Sequence, residues 1–132
     1  MMAAGIAAER GREVTVFERN KKVGRKLRIA GKGRCNITND TDVDGLLEHI
    51  PGNPKFLRTA LYKFGPKDVL AFFNDLGLPV KTERGGRVFP ASDDAEDVVI
   101  ALLKFCRKTG VQFRNEVAIK RVMSSGGRVN GV

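Results

Sequence analysis

A long glycine-rich basic segment, residues 20–39, constrains this chain more than any other feature. It contains three glycines and seven lysine or arginine residues, but no aspartate or glutamate. The segment has neither the 3.6-residue period of a helix nor the two-residue period of a strand. Glycine lets a backbone approach a bulky ligand, and cations offset phosphate charge. Because long loops in compact domains are usually functional or disordered, the segment predicts a site for a phosphorylated ligand.

The charge of the whole chain leaves a second interpretation open. Its 132 residues include 24 Lys and Arg against 15 Asp and Glu, a formal net charge of +9. Such an excess attracts phosphates, nucleic acid, acidic lipid or acidic substrates. By composition alone, residues 20–39 could equally contact RNA. However, the segment has no aromatic side chain for base stacking, and the chain matches no RRM, KH or helix-turn-helix pattern.

Composition also excludes several classes of protein. Hydrophobic residues make up 42% of the chain, enough for the core of one domain. Cys35 and Cys106 lie far apart, which argues against a disulfide framework or a zinc site and indicates a reducing cytoplasm. No apolar run approaches the roughly 20 residues that a membrane span needs. We therefore expect a cytoplasmic protein without a bound metal or a membrane span.

The order of the elements predicts an α/β architecture. An Ala-rich helix over Met1–Arg10 precedes a buried strand over Glu13–Glu18, and a later helix ends at Gly110 before a strand over Val111–Arg114. A strand, a helix and a second strand in this order favour a parallel sheet. Residues 41–107 are expected to be a mostly helical excursion between the second and third parallel strands.

Two further strands are predicted near the C-terminus. Val117–Met123 and Arg128–Val132 are rich in β-branched residues, and a Ser-Ser-Gly-Gly turn separates them. We expect this pair to form a small antiparallel appendage to the parallel sheet.

Glu18 is an informative acidic residue because it ends a predicted strand. In nucleotide-binding βαβ units, a carboxylate at the end of the second strand accepts hydrogen bonds from a ribose hydroxyl pair. That carboxylate follows a glycine-rich turn by about 20 residues. Counted back from Glu18, such a turn would end at or just before Met1. The alternative is an ordinary glutamate at the end of a strand.

Three sequence blocks resemble the BaiN-like family of NAD(P)/FAD-dependent oxidoreductases. The first is Glu18 followed by Gly24-Arg25-Lys26, which matches the family pattern E-x(5)-G-[RK]-K. The second is GKGRCNITN at residues 31–39, which matches the last nine positions of [SG]-G-x-G-R-C-N-x-T-N. The first position of this pattern falls on Ala30, which does not match. The third is GRVFPASD at residues 86–93, which matches R-V-F-P-x-S. The resemblance is collinear through essentially all of the chain.

The resemblance implies a role for each matched residue. Glu18 would bind the adenosine ribose, and Arg25 or Lys26 would lie near the ribose and the pyrophosphate. Val117, at the start of the next strand, would supply backbone hydrogen bonds to adenine. Five residues would run past the flavin and provide backbone and polar contacts: Gly33, Arg34, Cys35, Asn36 and Thr38. Cys35 is either a neighbour of the flavin ring or a small buried thiol, and no catalytic residue is assigned.

The resemblance also implies a fold and an activity. The fold would be an incomplete Rossmann-like FAD/NAD(P)-binding domain over residues 1–132. The intact protein would pass hydride from NAD(P)H through FAD to a small organic acceptor, which for some relatives is an unsaturated steroid ketone of the bile-acid type. Nucleic acid is not an expected partner on this interpretation. A small basic nucleic-acid-binding module is the alternative.

The chain departs from the family pattern in two ways. Ala30 occupies a position where the family commonly has serine, and the family's opening strand, its GxGxxG-type loop and its later parts are absent. We therefore expect an inactive, marginally stable chain that binds FAD weakly or not at all by itself. The strand that ends at Glu18 would pair with Val111–Arg114 on one side only. Its other edge would be exposed, which predicts self-association.

Overall fold

The computed structural model describes residues 1–132, which contain six α-helices and seven strands. The helices are α1 (Met2–Glu9), α2 (Arg25–Ile29), α3 (Val43–Glu48), α4 (Lys55–Lys63), α5 (Pro66–Asp75) and α6 (Ala95–Lys108). The strands are β1 (Thr15–Glu18), β2 (Thr38–Asn39), β3 (Val80–Thr82), β4 (Arg87–Pro90), β5 (Gln112–Asn115), β6 (Met123–Ser125) and β7 (Arg128–Gly131). The chain divides into a first unit of residues 1–25 and 105–132 and a second unit of residues 26–104.

The first unit contains the parallel strand pair β1 and β5. Val16 pairs with Phe113 and Glu18 with Asn115, so the carboxyl ends of both strands lie together. Helix α1 approaches α6 closely at Gly5, because a Cβ atom there would lie 2.1 Å from the ring of Phe105. A glycine at this position therefore lets the backbone of α1 approach the Phe105 ring closely.

The second unit contains a three-stranded antiparallel sheet in the order β2-β4-β3. Its core includes Val88 and Phe89 of β4, which are 0% and 2% exposed. Val98, Val99 and Leu102 of α6 are buried as well, as the i, i+1, i+4 spacing predicts for an inward-facing stripe. Strand β4 and the residues directly around it carry the third sequence block.

The α/β class, with a parallel pair and small antiparallel sheets, is confirmed. Strand β1 pairs with β5 as expected, and its other edge has no partner strand. The prediction that this strand is buried is wrong, since Thr15 and Phe17 are exposed and Phe17 retains 39% of its accessible surface. With one neighbour strand, only alternate side chains of β1 are partly covered. Self-association through the open edge remains a prediction.

Two other expectations are wrong in part. Residues 20–39 are not wholly irregular, because α2, a 3-10 turn over Ala30–Gly33 and β2 lie within them. Residues 117–122 are not a strand, so the first C-terminal strand is only Met123–Ser125. Val117 therefore begins an irregular segment rather than a strand. The backbone of Val117 instead continues past β5 to donate a hydrogen bond to Glu18.

None of the helices combines the length and the apolar character needed to cross a bilayer. No group of three or more His, Cys, Asp and Glu side chains lies close enough to hold a metal ion.

Candidate functional site

Glu18 ends β1 with its carboxylate held by Asn20. Its Oε1 accepts hydrogen bonds from the Asn20 backbone N–H at 2.8 Å and from the Asn20 side-chain amide at 2.5 Å. These bonds lower the pKa of Glu18, with a smaller contribution from the Arg19 charge. The carboxylate is therefore held ionised, and both hydrogen bonds from Asn20 fall on the same oxygen, Oε1.

The loop after β1 is attached to the segment after β5. Val117 donates its backbone N–H to the Glu18 carbonyl at 3.0 Å, and the Asn115 side-chain amide donates to the Lys21 carbonyl at 3.0 Å. The structure thus brings two sequence-predicted residues, Glu18 and Val117, to the carboxyl edge of one parallel pair. Ligands of open α/β sheets bind at this edge.

Arg25 and Lys26 begin the short helix α2. Gly24 precedes them with φ of 82°, a left-handed conformation that glycine adopts without strain. Both side chains are exposed, and neither forms an ion pair within the chain. Their charges therefore remain available to an anionic ligand.

Left-handed backbone shapes the loop that carries the second sequence block. Gly31, Lys32, Gly33 and Cys35 have φ angles of 56°, 59°, 86° and 59°. Lysine and cysteine rarely adopt such angles, and each costs free energy that the surrounding structure must offset. The Cys35 backbone N–H donates to the Ala30 carbonyl at 2.9 Å, which closes the loop on itself.

Cys35 lies inside the second unit rather than on its surface. Cys35 is only 3% exposed, and this burial raises the pKa of its thiol. A thiol in this setting stays protonated at neutral pH, whereas a nucleophilic cysteine needs a lowered pKa. The thiol is therefore not set up as a nucleophile, and a place for Cys35 beside the flavin ring stays a prediction.

Arg34 holds the loop against the β3–β4 hairpin. Its guanidinium donates two hydrogen bonds to the Glu83 carboxylate, at 2.7 and 3.4 Å, and one to Asp93 at 3.3 Å. The guanidinium carbon also lies 4.0 Å from the centroid of the Phe89 ring. Lys81 pairs with the second oxygen of Asp93. Hydrogen bonding to Arg34 lowers the pKa of Glu83, so this network is ionised at neutral pH.

We expect Arg34→Lys to lower the melting temperature, because lysine cannot form two parallel bonds to Glu83 or stack on Phe89. Glu83→Gln should lower the melting temperature less in the Arg34→Lys background than in the wild type. Arg84→Lys is the matched control, since Arg84 is exposed and has no ion pair. The Arg34 effect should persist near neutral pH and disappear as pH falls through the lowered pKa of Glu83. Equal losses from Arg34→Lys and Arg84→Lys would contradict this assignment.

Asn36 and Thr38 also have partners within the second unit. The Asn36 side-chain amide donates to the carbonyls of Thr38 at 2.8 Å and Val88 at 3.1 Å. Thr38 pairs with Val88 in the sheet. The donors of the Asn36 amide are therefore used to join the loop to β4.

Several residues of these arrangements give no signal in the sequence. Asn20 gives no motif signal, yet it orients Glu18. Arg28 forms a two-bond ion pair with Glu96, whose Nη2–Oε1 distance is 2.9 Å. These partners are 68 residues apart in sequence, so no local pattern could have identified the pair.

Two cavities of the second unit lie away from the predicted residues. One has about 230 Å³ and is lined by residues of the α5–β3 connection and α6, among them Leu78 and Ile100. The other has about 400 Å³ and is lined by residues of α3 and α4, among them Leu47 and Arg58. None of the predicted cofactor-binding residues lines either cavity.

Curated relatives are identical to this chain at about a third of the aligned positions. It is 35% identical over 127 residues to the 3-dehydro-bile acid delta(4,6)-reductase of Clostridium scindens, covering 94% of this chain and 30% of that protein. It is 33% identical over 114 residues to the ribosomal RNA dihydrouridine synthase of Escherichia coli, covering 86% of this chain and 28% of that protein. The chain thus spans about three tenths of the length of these relatives.

A solved structure and a family model complete the comparison. The crystal structure of Thermovibrio ammonificans THI4 superposes with a TM-score of 0.58 at 14% identity, over 98% of this chain and 40% of that one, which is a likeness of fold. The model of the HI0933-like protein Rossmann domain matches residues 1–132. The chain therefore belongs to the HI0933-like Rossmann domain family of BaiN-like, FAD-dependent oxidoreductases.

Proposed function

We propose that this chain supplies the FAD-binding part of a flavin-dependent oxidoreductase. The observation that carries the proposal is the carboxylate of Glu18 at the carboxyl end of a parallel strand. Two hydrogen bonds from Asn20 to one of its oxygens fix the orientation of the carboxylate. A carboxylate in this position suits the hydroxyl pair of an adenosine ribose.

The remaining residues fit parts of the same cofactor. Arg25 and Lys26 would offset the pyrophosphate charge, because both are exposed and unpaired. Val117 has given its N–H to Glu18, so its contact with adenine would use other backbone atoms. Gly33, Cys35 and Thr38 would approach the flavin mainly through their backbone.

Arg34 and Asn36 fit the cofactor differently from what the resemblance implies. Their side chains are bonded to Glu83, Asp93 and backbone carbonyls. We therefore assign the two side chains to shaping the loop, while their backbone atoms remain candidates for contact with the flavin.

The names of the relatives suggest one class of reaction. A delta(4,6)-reductase of a 3-dehydro bile acid and a dihydrouridine synthase each saturate a carbon–carbon double bond that is conjugated to a carbonyl group. FAD, when bound, would carry hydride from NAD(P)H to such an acceptor, while a proton completes the saturated product. We propose this reduction for the intact protein, in a reducing cytoplasm. The acceptor is a steroid-type ketone or a uridine of RNA.

A chimera tests the proposal. In it, this chain replaces the matching segment of the Clostridium scindens reductase, which contributes the rest of the protein. We expect the purified chimera to retain bound flavin and to consume NADH or NADPH when a 3-oxo-4,6-diene steroid is added. Mass spectrometry should show a product with two more hydrogen atoms. The same assay with uridine-containing RNA distinguishes the acceptors.

The control is the parent reductase carrying its own segment. Circular dichroism establishes whether the chimera is folded. A folded chimera that lacks flavin, next to a parent that holds it, would contradict the proposed cofactor role. A chimera that holds flavin but reduces neither acceptor would contradict the proposed reaction class alone.

A further inference from the structure

Helix α2 depends on its side-chain contacts for its position. It is only five residues long, Arg25–Ile29, and helices shorter than about 12 residues are marginal in water by themselves. The backbone after it becomes left-handed at Gly31 and Lys32, with φ of 56° and 59°, so the α-helix does not continue past Ile29. The direction in which α2 lies is therefore set by what its side chains bind.

The ion pair of Arg28 and Glu96 is such a contact. The Arg28 guanidinium donates through Nε and Nη2 to the two oxygens of the Glu96 carboxylate, and the Nη2–Oε1 distance is 2.9 Å. Two parallel bonds fix the orientation of a guanidinium as well as its distance. The two side chains are 25% and 42% exposed, so the pair is partly shielded from water. It therefore joins α2 to α6 in a defined orientation.

Glu96 is a rigid anchor because α6 is held in the core on both sides of it. Ala95, Val98 and Val99 are at most 1% exposed. The start of α6 has its own cap, since the Glu96 backbone N–H donates to the Asp94 carboxylate at 2.8 Å. The Glu96 carboxylate thus holds α2 and is not needed to cap its own helix.

The geometry of α2 then determines where Lys26 lies. Successive residues of an α-helix are about 100° apart around its axis, so about 200° separate Lys26 from Arg28. Arg25, three residues before Arg28, lies on nearly the same side of the helix as Arg28. Arg28 is turned to α6 by the ion pair, whereas Lys26 lies on the opposite side of α2 and is exposed. Of the two cations suggested for the pyrophosphate, Lys26 is therefore the one directed away from α6.

We propose that Arg28 and Glu96 are positioning residues for the cofactor, because their ion pair directs Lys26 to the pyrophosphate of FAD. The proposal rests on the proposed function, which assigns Lys26 to that part of FAD. Neither Arg28 nor Glu96 touches the cofactor, and both act through Lys26. Charge alone predicts the opposite effect for Glu96, since removal of a negative charge strengthens the attraction of an anion. Weaker FAD binding after loss of this carboxylate therefore distinguishes positioning from a general electrostatic effect.

The test is a double-mutant cycle on the full 132-residue chain, with Glu96→Gln and Lys26→Gln made singly and together. Amide NMR follows each titration with FAD and shows whether each variant is folded. Glu48→Gln is the matched control, since Glu48 is exposed, lies in α3 and takes part in none of the ion pairs. Arg28→Lys is a second variant, which keeps the charge but cannot form two parallel bonds to Glu96.

We expect Glu96→Gln and Arg28→Lys each to weaken FAD binding about fivefold when Lys26 is present. In the Lys26→Gln background neither change should have a further effect, because the cation that the pair positions is gone. Glu48→Gln should not weaken binding. A merely structural role of the ion pair would instead weaken binding equally in both backgrounds.

The outcomes separate this proposal from the proposed function. Equal losses from Glu96→Gln with and without Lys26, or tighter FAD binding by Glu96→Gln, would overturn this proposal and leave the proposed function intact. If Glu96→Gln is unfolded, the cycle of Arg28→Lys with Lys26→Gln decides in the same way. A wild-type chain without saturable shifts in the presence of FAD would overturn the proposed function, and this proposal with it.

Discussion

Gly31→Ala is expected to destabilise the chain by about 3 kcal/mol. Gly31 has φ of 56°, which disfavours any residue with a Cβ atom. A Cβ atom there would also lie 2.8 Å from the Asn36 backbone nitrogen and 3.1 Å from the Phe89 ring. The backbone nitrogen cannot move aside as a flexible side chain could. The loop that carries Cys35 and Asn36 should therefore lose its shape.

Gly33→Ala is the matched control for this prediction. Gly33 has φ of 86°, but its nearest atom is the Arg28 carbonyl oxygen, 3.9 Å from an added Cβ. The Gly33→Ala variant should therefore lose only about 1 kcal/mol of stability, which is the cost of a left-handed backbone at alanine. Chemical denaturation of the three proteins measures both effects. If the two alanine variants were equally stable, the close approach of Gly31 to Asn36 would not hold.

The regular elements of this fold could be predicted because their signals are local. The stripe of Val98, Val99, Leu102 and Cys106 is buried in α6, at 1%, 0%, 6% and 0% exposure. Gly11 follows α1 in a left-handed conformation, as a helix-ending glycine does. Spacing and glycine position suffice for such elements, since their causes lie within a few residues.

The loop of the second sequence block could not be predicted in the same way. Its short helix and 3-10 turn have no apolar period, because Lys32 and the glycines face solvent. Its shape depends on partners distant in sequence. Arg34 binds Glu83 and Asp93, which are 49 and 59 residues away. The position of Glu18 at the end of β1 was easier to predict, since the strand pattern that leads to it is local.

Val117 shows the limit of a prediction from β-branched residues. Residues 117–122 contain three such residues, yet no strand forms there. A strand also needs a partner, and of the predicted strand Val117–Met123 only Met123 pairs with β7. Side-chain propensity alone therefore placed the strand too early.

Glu18→Gln is expected to weaken FAD binding by about tenfold or more, because hydrogen bonds to a charged group are stronger than those to a neutral one. The variant keeps the size of the side chain and an oxygen for Asn20, but it loses the charge and one acceptor. Since the pKa of Glu18 is lowered, wild-type binding should stay constant from neutral pH until the pH falls through that lowered pKa.

Glu13→Gln is the control for the charge itself. Glu13 is exposed, lies before β1 and makes no ion pair within the chain. The Glu13→Gln variant therefore changes the net charge by the same amount as Glu18→Gln, but it leaves the carboxyl edge of β1 unchanged. The pair of variants separates a local contact with the cofactor from a general electrostatic effect.

Titration of the isotope-labelled chain with FAD, followed by amide NMR, is the most direct test of the role of Glu18. The method detects the weak binding expected of this chain. We predict saturable shifts at the amides of Glu18, Asn20 and Val117, a weaker affinity for Glu18→Gln, and a wild-type affinity for Glu13→Gln. Shifts confined to residues outside these segments, or equal affinities for all three proteins, would contradict the account.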